Sequence, residues 1–98
     1  MMVLKDLNAI LEELRPQMTE TLRRWVRIPS VKSEPQPGAP FGAEVRRALD
    51  TALADAKAMG FETRNIDGYA GDVRMGPLGV NPLAILAHLD VVPAGDGW

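Results

Sequence analysis

The single histidine of this 98-residue sequence, His88, stands two residues before an acid, Asp90. Imidazole is a common ligand for divalent metals, and the nitrogen that does not ligate is usually held by a carboxylate or a carbonyl. On a strand, residues i and i+2 share a face, roughly 6–7 Å apart. The spacing therefore lets Asp90 fix the ring and tautomer of His88 while staying charged beside a cation. A lone histidine in an apolar run also reads as a satisfied core or edge residue, and spacing alone leaves both readings open. Catalytic zinc generally takes three protein ligands plus an open position. His88 and Asp90 are thus at most part of a site. Asp67, Asp72 and Asp96 fall in turns or near the end of the sequence and do not complete it by spacing.

Other chemistries are less well served. Ser30 and Ser33 lie in a proline-rich stretch without a glycine elbow to expose a nucleophile. The glycines of "GDVRMGPLG" do not match a phosphate-cradling loop. The absence of cysteine excludes disulfides and thiolate metal sites and fits a reducing cytoplasm, the expected compartment. Net charge is −2, and Arg23, Arg24, Arg27, Arg46 and Arg47 read as solvated helix faces, so no nucleic-acid partner is expected. "MMVLKDLNAI" lacks the pattern of a secretory signal. The longest purely apolar run, Leu83 to Ala87, is far too short to span a membrane. An apolar fraction of 46% and a charged fraction of 24% are those of an ordinary globular chain.

The elements that must position His88 follow from periodicity. Leu4, Leu7, Leu11, Leu14, Met18, Leu22 and Trp25 recur at steps of three and four, which predicts a helix over Leu4–Ile28. Its stripe reads as core packing or as a coiled-coil seam, and Pro16, on the other face, predicts a kink or short break. Ile28–Pro40 carries four prolines and one glycine in thirteen residues and reads as a loop, either a connector or a segment that approaches a site. Phe41–Met59 reads as a second helix with Val45, Leu49, Ala52, Leu53, Ala56 and Met59 on its apolar face and Gly60 as its stop. The period then becomes two. Phe61, Thr63 and Asn65 share a side, as do Tyr69, Gly71, Val73 and Met75, with Asp67-Gly68 as a two-residue hairpin turn. Leu83–Val92 is nearly all apolar, as in a central strand covered on both faces. The fold class is α/β: two helices, a β-hairpin and a central-type strand, with His88 and Asp90 at that strand's C-terminal end, where α/β sheets place ligands.

"HLDVVPAGDGW" resembles the first metal-site motif of the co-catalytic zinc peptidases, which include aminoacylase, acetylornithine deacetylase, succinyl-diaminopimelate desuccinylase and the PepV-type dipeptidases. "WVRIPSV", "AMGF" and "GYAGDVRMG" are similar to the start of that family in the same order, most closely to the PepV-type dipeptidases. The resemblance implies that His88 ligates one of two zinc ions and that Asp90 acts in catalysis by orienting and polarising His88. In the family, a later aspartate bridges the metals and a glutamate serves as general base on the shared water, which zinc makes more acidic while polarising the amide carbonyl. Dipeptides or N-acyl amino acids are the implied substrates.

The sequence ends at Trp98, ahead of those later residues. Residues 1–98 are therefore expected to be the N-terminal part of a catalytic domain, without its remainder or its lid and dimerisation domain, and inactive in isolation. A reading of another class is a non-catalytic, self-associating module. It would self-associate through the Leu4–Trp25 stripe and the open strand edge; a homodimer formed through that edge, or by exchange of the first helix, is a third expectation.

Overall fold

The computed structural model describes residues 4–77, 79 and 82–97. Helix α1 spans Leu4–Val26, with Asp6 in its first turn and Arg23 and Arg24 in its last, complementing the helix dipole. Pro16 lies inside α1 without interrupting it. The helix ends because Pro29 disfavours helical backbone at Ile28. The final turn tightens instead, with the Ile28 amide donating to the Trp25 carbonyl at 3.1 Å.

The stripe on α1 does not form a core among the described residues. Leu11 is 45% exposed, Met18 57% and Leu22 62%. Periodicity reports that one face is apolar, but not that anything covers it. The helix is instead anchored at its C-terminal turn: Asp55 accepts from Trp25 Nε1 at 2.7 Å and from both terminal nitrogens of Arg24 at 3.3 and 3.2 Å.

The proline-rich segment that follows α1 is more ordered than its composition predicts. Gln36 and Ala39 exchange two backbone hydrogen bonds, at 2.8 and 2.9 Å. Pro37 and Gly38, the latter at φ 75°, occupy the centre of this turn in the type II pattern. Its end packs on the hairpin, where the Phe41 and Tyr69 rings meet edge to face at 5.5 Å.

Helix α2 spans Ala43–Ala58, shorter than the expected Phe41–Met59 at both ends. Gly60, at φ 95°, does stop it. Its amide donates to the Lys57 carbonyl at 2.9 Å and the Phe61 amide to Ala56 at 3.2 Å, the paired bonds of a Schellman cap.

Strands β1 (Glu62–Ile66) and β2 (Ala70–Arg74) form an antiparallel hairpin. The loop has three residues rather than two, because Ile66 pairs with Ala70. Asp67 and Gly68 take positive φ of 54° and 76°, and Tyr69 closes the turn on the Ile66 carbonyl at 3.0 Å. Parity explains the extra residue. Only an odd loop sets Thr63 opposite Val73 and Asn65 opposite Gly71, so that the predicted odd-numbered sets share a face. That face lies against α2. A Cβ on Gly71 would sit 2.9 Å from both Leu49 and Leu53, so a bare backbone is what lets helix and hairpin approach.

The expected strand over Leu83–Val92 is not formed. One parallel bridge joins Val91 to Val31, and the rest of the segment is irregular. Leu83, Ile85 and Leu86 are 89%, 86% and 95% exposed. A strand needs a neighbour along its length to satisfy its backbone, and the backbone pairing described for this segment is the one at Val91. Among the described residues, the buried apolar ones are few: Ile28, Ala39 and Ala48. The Cα radius of gyration is accordingly 16.3 Å, against roughly 13 Å for a folded domain near this size.

Candidate functional site

His88 and Asp90 lie on this irregular segment, not on a sheet, yet their side chains point the same way. His88 Nδ1 is 2.9 Å from the Asp90 main-chain carbonyl and 3.4 Å from the Asp90 carboxylate. A carbonyl oxygen can only accept, so Nδ1 carries the proton and donates. When the ring is neutral, its lone pair then resides on Nε2. The imidazole is not enclosed in hydrocarbon: the His88 side chain is 82% exposed and that of Asp90 61%. The geometry is that of a one-imidazole donor whose tautomer is set by its neighbour. The sequence suggested the carboxylate for this task; the shorter contact belongs to the Asp90 backbone.

What locates the segment is the loop that follows α1. The Ser30 hydroxyl donates to the Leu89 carbonyl at 2.9 Å, and the Val91 amide donates to the Ser30 carbonyl at 3.0 Å. Ile28–Pro40 therefore approaches the candidate site and is more than a connector. Ser30 was legible only as a poor nucleophile. The "IPS" triplet carried no spacing signal toward residue 89, 59 positions away.

Several other charged groups are engaged elsewhere. Arg64 pairs with Asp72 across the hairpin, and Arg74 lies 3.8 Å from the same carboxylate. The hydrogen bond from Arg64 holds the Asp72 carboxyl below the usual range, against an opposing effect of burial. Arg46 bonds Asp50 at 2.9 Å and Arg47 bonds Glu44 at 2.9 Å along α2, as expected for solvated helix faces. An open depression of about 440 Å³, lined by Lys57, Phe61, Glu62, Thr63, Arg64 and Arg74, does not include His88 or Asp90. Among the described residues, no three His, Cys, Asp or Glu side chains are grouped to hold a metal. His88 thus fits a metal as one ligand, not as a complete site. No described helix is long and apolar enough to cross a membrane.

No family model matches the chain. Individual relatives do. The chain is 42% identical over 78 residues to "Putative dipeptidase YtjP" of Bacillus subtilis, a match covering 78% of the chain and 17% of that protein. It is 42% identical over 88 residues to a Staphylococcus epidermidis protein named "Putative dipeptidase", covering 88% of the chain and 19% of the relative. "Putative dipeptidase SH1171" of Staphylococcus haemolyticus is 37% identical over 89 residues, with 89% and 19% covered. The chain thus spans about a fifth of the length of the curated relatives it matches. Along most of its own length, it is homologous to one segment of proteins that carry a dipeptidase name.

Proposed function

We propose that this chain supplies part of the metal-binding site of a zinc-dependent dipeptidase or related amidohydrolase acting on small peptides or N-acyl amino acids. The observation that carries the reading is the His88–Asp90 arrangement, with Nδ1 engaged at 2.9 Å and the ring largely exposed. The named relatives support it, with 42% identity over 88 residues to a protein that carries a dipeptidase name. In this reading His88 offers Nε2 to a zinc ion, and Asp90 keeps the proton on Nδ1 and the ring in place. Zinc, when bound, supplies Lewis acidity toward water and the amide carbonyl. With no grouped set of three donors among the described residues, the 98-residue chain alone is expected to be inactive.

A chimera tests this. The chain replaces the matched residues of the B. subtilis protein, and zinc content and dipeptide hydrolysis are measured. Zinc-dependent turnover lost on His88→Ala supports the reading. A folded, fully active chimera with His88→Ala removes it.

A second reading, a self-associating module, draws on one observation: the apolar stripe of α1 is open, with Leu14 42% and Met18 57% exposed. It predicts association that does not depend on zinc.

A further inference from the structure

Ser30 is a buried polar residue, 4% exposed, on a loop with otherwise ordinary backbone turns. Its amide and that of Val31 are turned back along the chain, donating to Ile28 and Pro29 carbonyls at 2.8 Å each. Neither can therefore donate across to the segment at residues 89–91. The parallel bridge between Val31 and Val91 has the Val91 amide as its donor. The Leu89 carbonyl lacks the backbone partner that a continued ladder would give it. The Ser30 hydroxyl supplies that partner at 2.9 Å.

The geometry points to Ser30 as the positioning residue of the His88–Asp90 pair, its hydroxyl replacing a ladder hydrogen bond that the loop backbone cannot make. The two bonds, to Leu89 and from Val91, bracket Asp90 on both sides. They fix the peptide planes around the Asp90 carbonyl, the group that holds His88 Nδ1. A rotated plane would turn that carbonyl away and release the ring. A buried hydroxyl is costly unless bonded, so alanine would suit this place better if only packing mattered. The inference deepens the proposed ligand role of His88, but its test reads geometry without metal.

The test uses the ¹⁵N-labelled 98-residue chain as wild type, Ser30→Ala and Ser30→Thr. Amide hydrogen exchange is followed at Val91 and along α2, and the His88 tautomer is read from its ring ¹⁵N shifts. Losing one partner of the bracket should speed Val91 exchange about tenfold, with α2 at wild-type rates. The His88 ring should drift from the Nδ1–H form toward a mixture, and Ser30→Thr, which keeps the donor, should restore both. Unchanged Val91 exchange and ring shifts in Ser30→Ala overturn the inference. So does uniform acceleration across α2 and the hairpin, which makes the role one of general stability, or equal losses in the Ala and Thr variants. If Ser30→Ala behaves as expected but added zinc never shifts the wild-type ring, Ser30's role stands and the ligand role of His88 falls.

Discussion

Trp25 Nε1 donates to the Asp55 carboxylate at 2.7 Å, and this contact, with the forked Arg24 beside it, fastens the end of α1 to α2. Two residues further on, Arg27 leads into Ile28 and the loop that grips residues 89–91. Asp55→Ala removes both attractions and should destabilise the chain by about 1–2 kcal/mol, discounted for the partial exposure of Arg24. Asp55→Asn keeps an acceptor for Trp25 and should fall between it and wild type. Urea unfolding of the three proteins checks the order.

The same carboxylate gives a pH dependence of definite sign. The Trp25 hydrogen bond, and then the Arg24 contacts, hold Asp55 below the usual carboxylate range, against an opposing effect of burial. A depressed folded-state pKa stabilises the protein above the ordinary aspartate pKa, and that stability is lost as pH falls through the lowered value. The Trp25 indole N–H resonance should therefore hold its position through the normal aspartate range and shift only in stronger acid. Asp55→Asn should abolish that acid transition.

Gly71 tests the helix–hairpin contact. Gly71→Ala places a methyl 2.9 Å from Leu49 and Leu53. Overpacking of this kind should cost about 1–3 kcal/mol. Gly79 has open space around it, so Gly79→Ala should stay within about 0.5 kcal/mol of wild type. Thermal melts of the two variants decide the point, and equal behaviour would mean that α2 does not lie on the hairpin as described.

These residues also show why some features were readable beforehand and others were not. The helix stop at Gly60 and the shared faces of Thr63, Asn65, Gly71 and Val73 are local, set by backbone freedom and by the period of two. The α1 stripe and the Leu83–Val92 run were equally plain as patterns, but patterns name a face and not its cover. Leu86 at 95% exposure shows how far the two can separate. At the candidate site, His88 and Asp90 stood out by residue type and spacing. Ser30 did not, because its bond to Leu89 depends on where its own amide and that of Val31 are spent. The three-residue hairpin loop was hidden for a smaller reason: Asp-Gly announces a turn, while the register needs the parity of both strands.

Zinc binding should separate His88 from Asp90. One imidazole gives only weak affinity, read as a shift of the His88 ring resonances on titration. His88→Ala should remove the response. Asp90→Asn keeps the main-chain carbonyl that accepts from Nδ1 and should weaken binding by less than about tenfold, below the usual loss when a ligand's supporting group is removed. A loss with Asp90→Asn as large as with His88→Ala would make the carboxylate, and not the carbonyl, the group that matters.

The open stripe of α1 predicts where this chain meets another surface when nothing else covers it. The exposed apolar stretches include the α1 stripe and Leu83–Leu86. They differ in order. Helix α1 is already formed, so Leu11, Leu14 and Met18 present a fixed row, whereas residues 83–86 are irregular and would have to be ordered on contact. Fixing each backbone residue costs roughly 1–2 kcal/mol, enough to offset much of what those side chains gain by burial. Leu14→Glu should therefore weaken concentration-dependent association about tenfold, close to 1.4 kcal/mol, and Leu86→Glu should weaken it less. Sedimentation equilibrium over a range of concentrations, with and without zinc, measures both. A greater effect from Leu86→Glu would move the contact from the helix to the segment that carries His88.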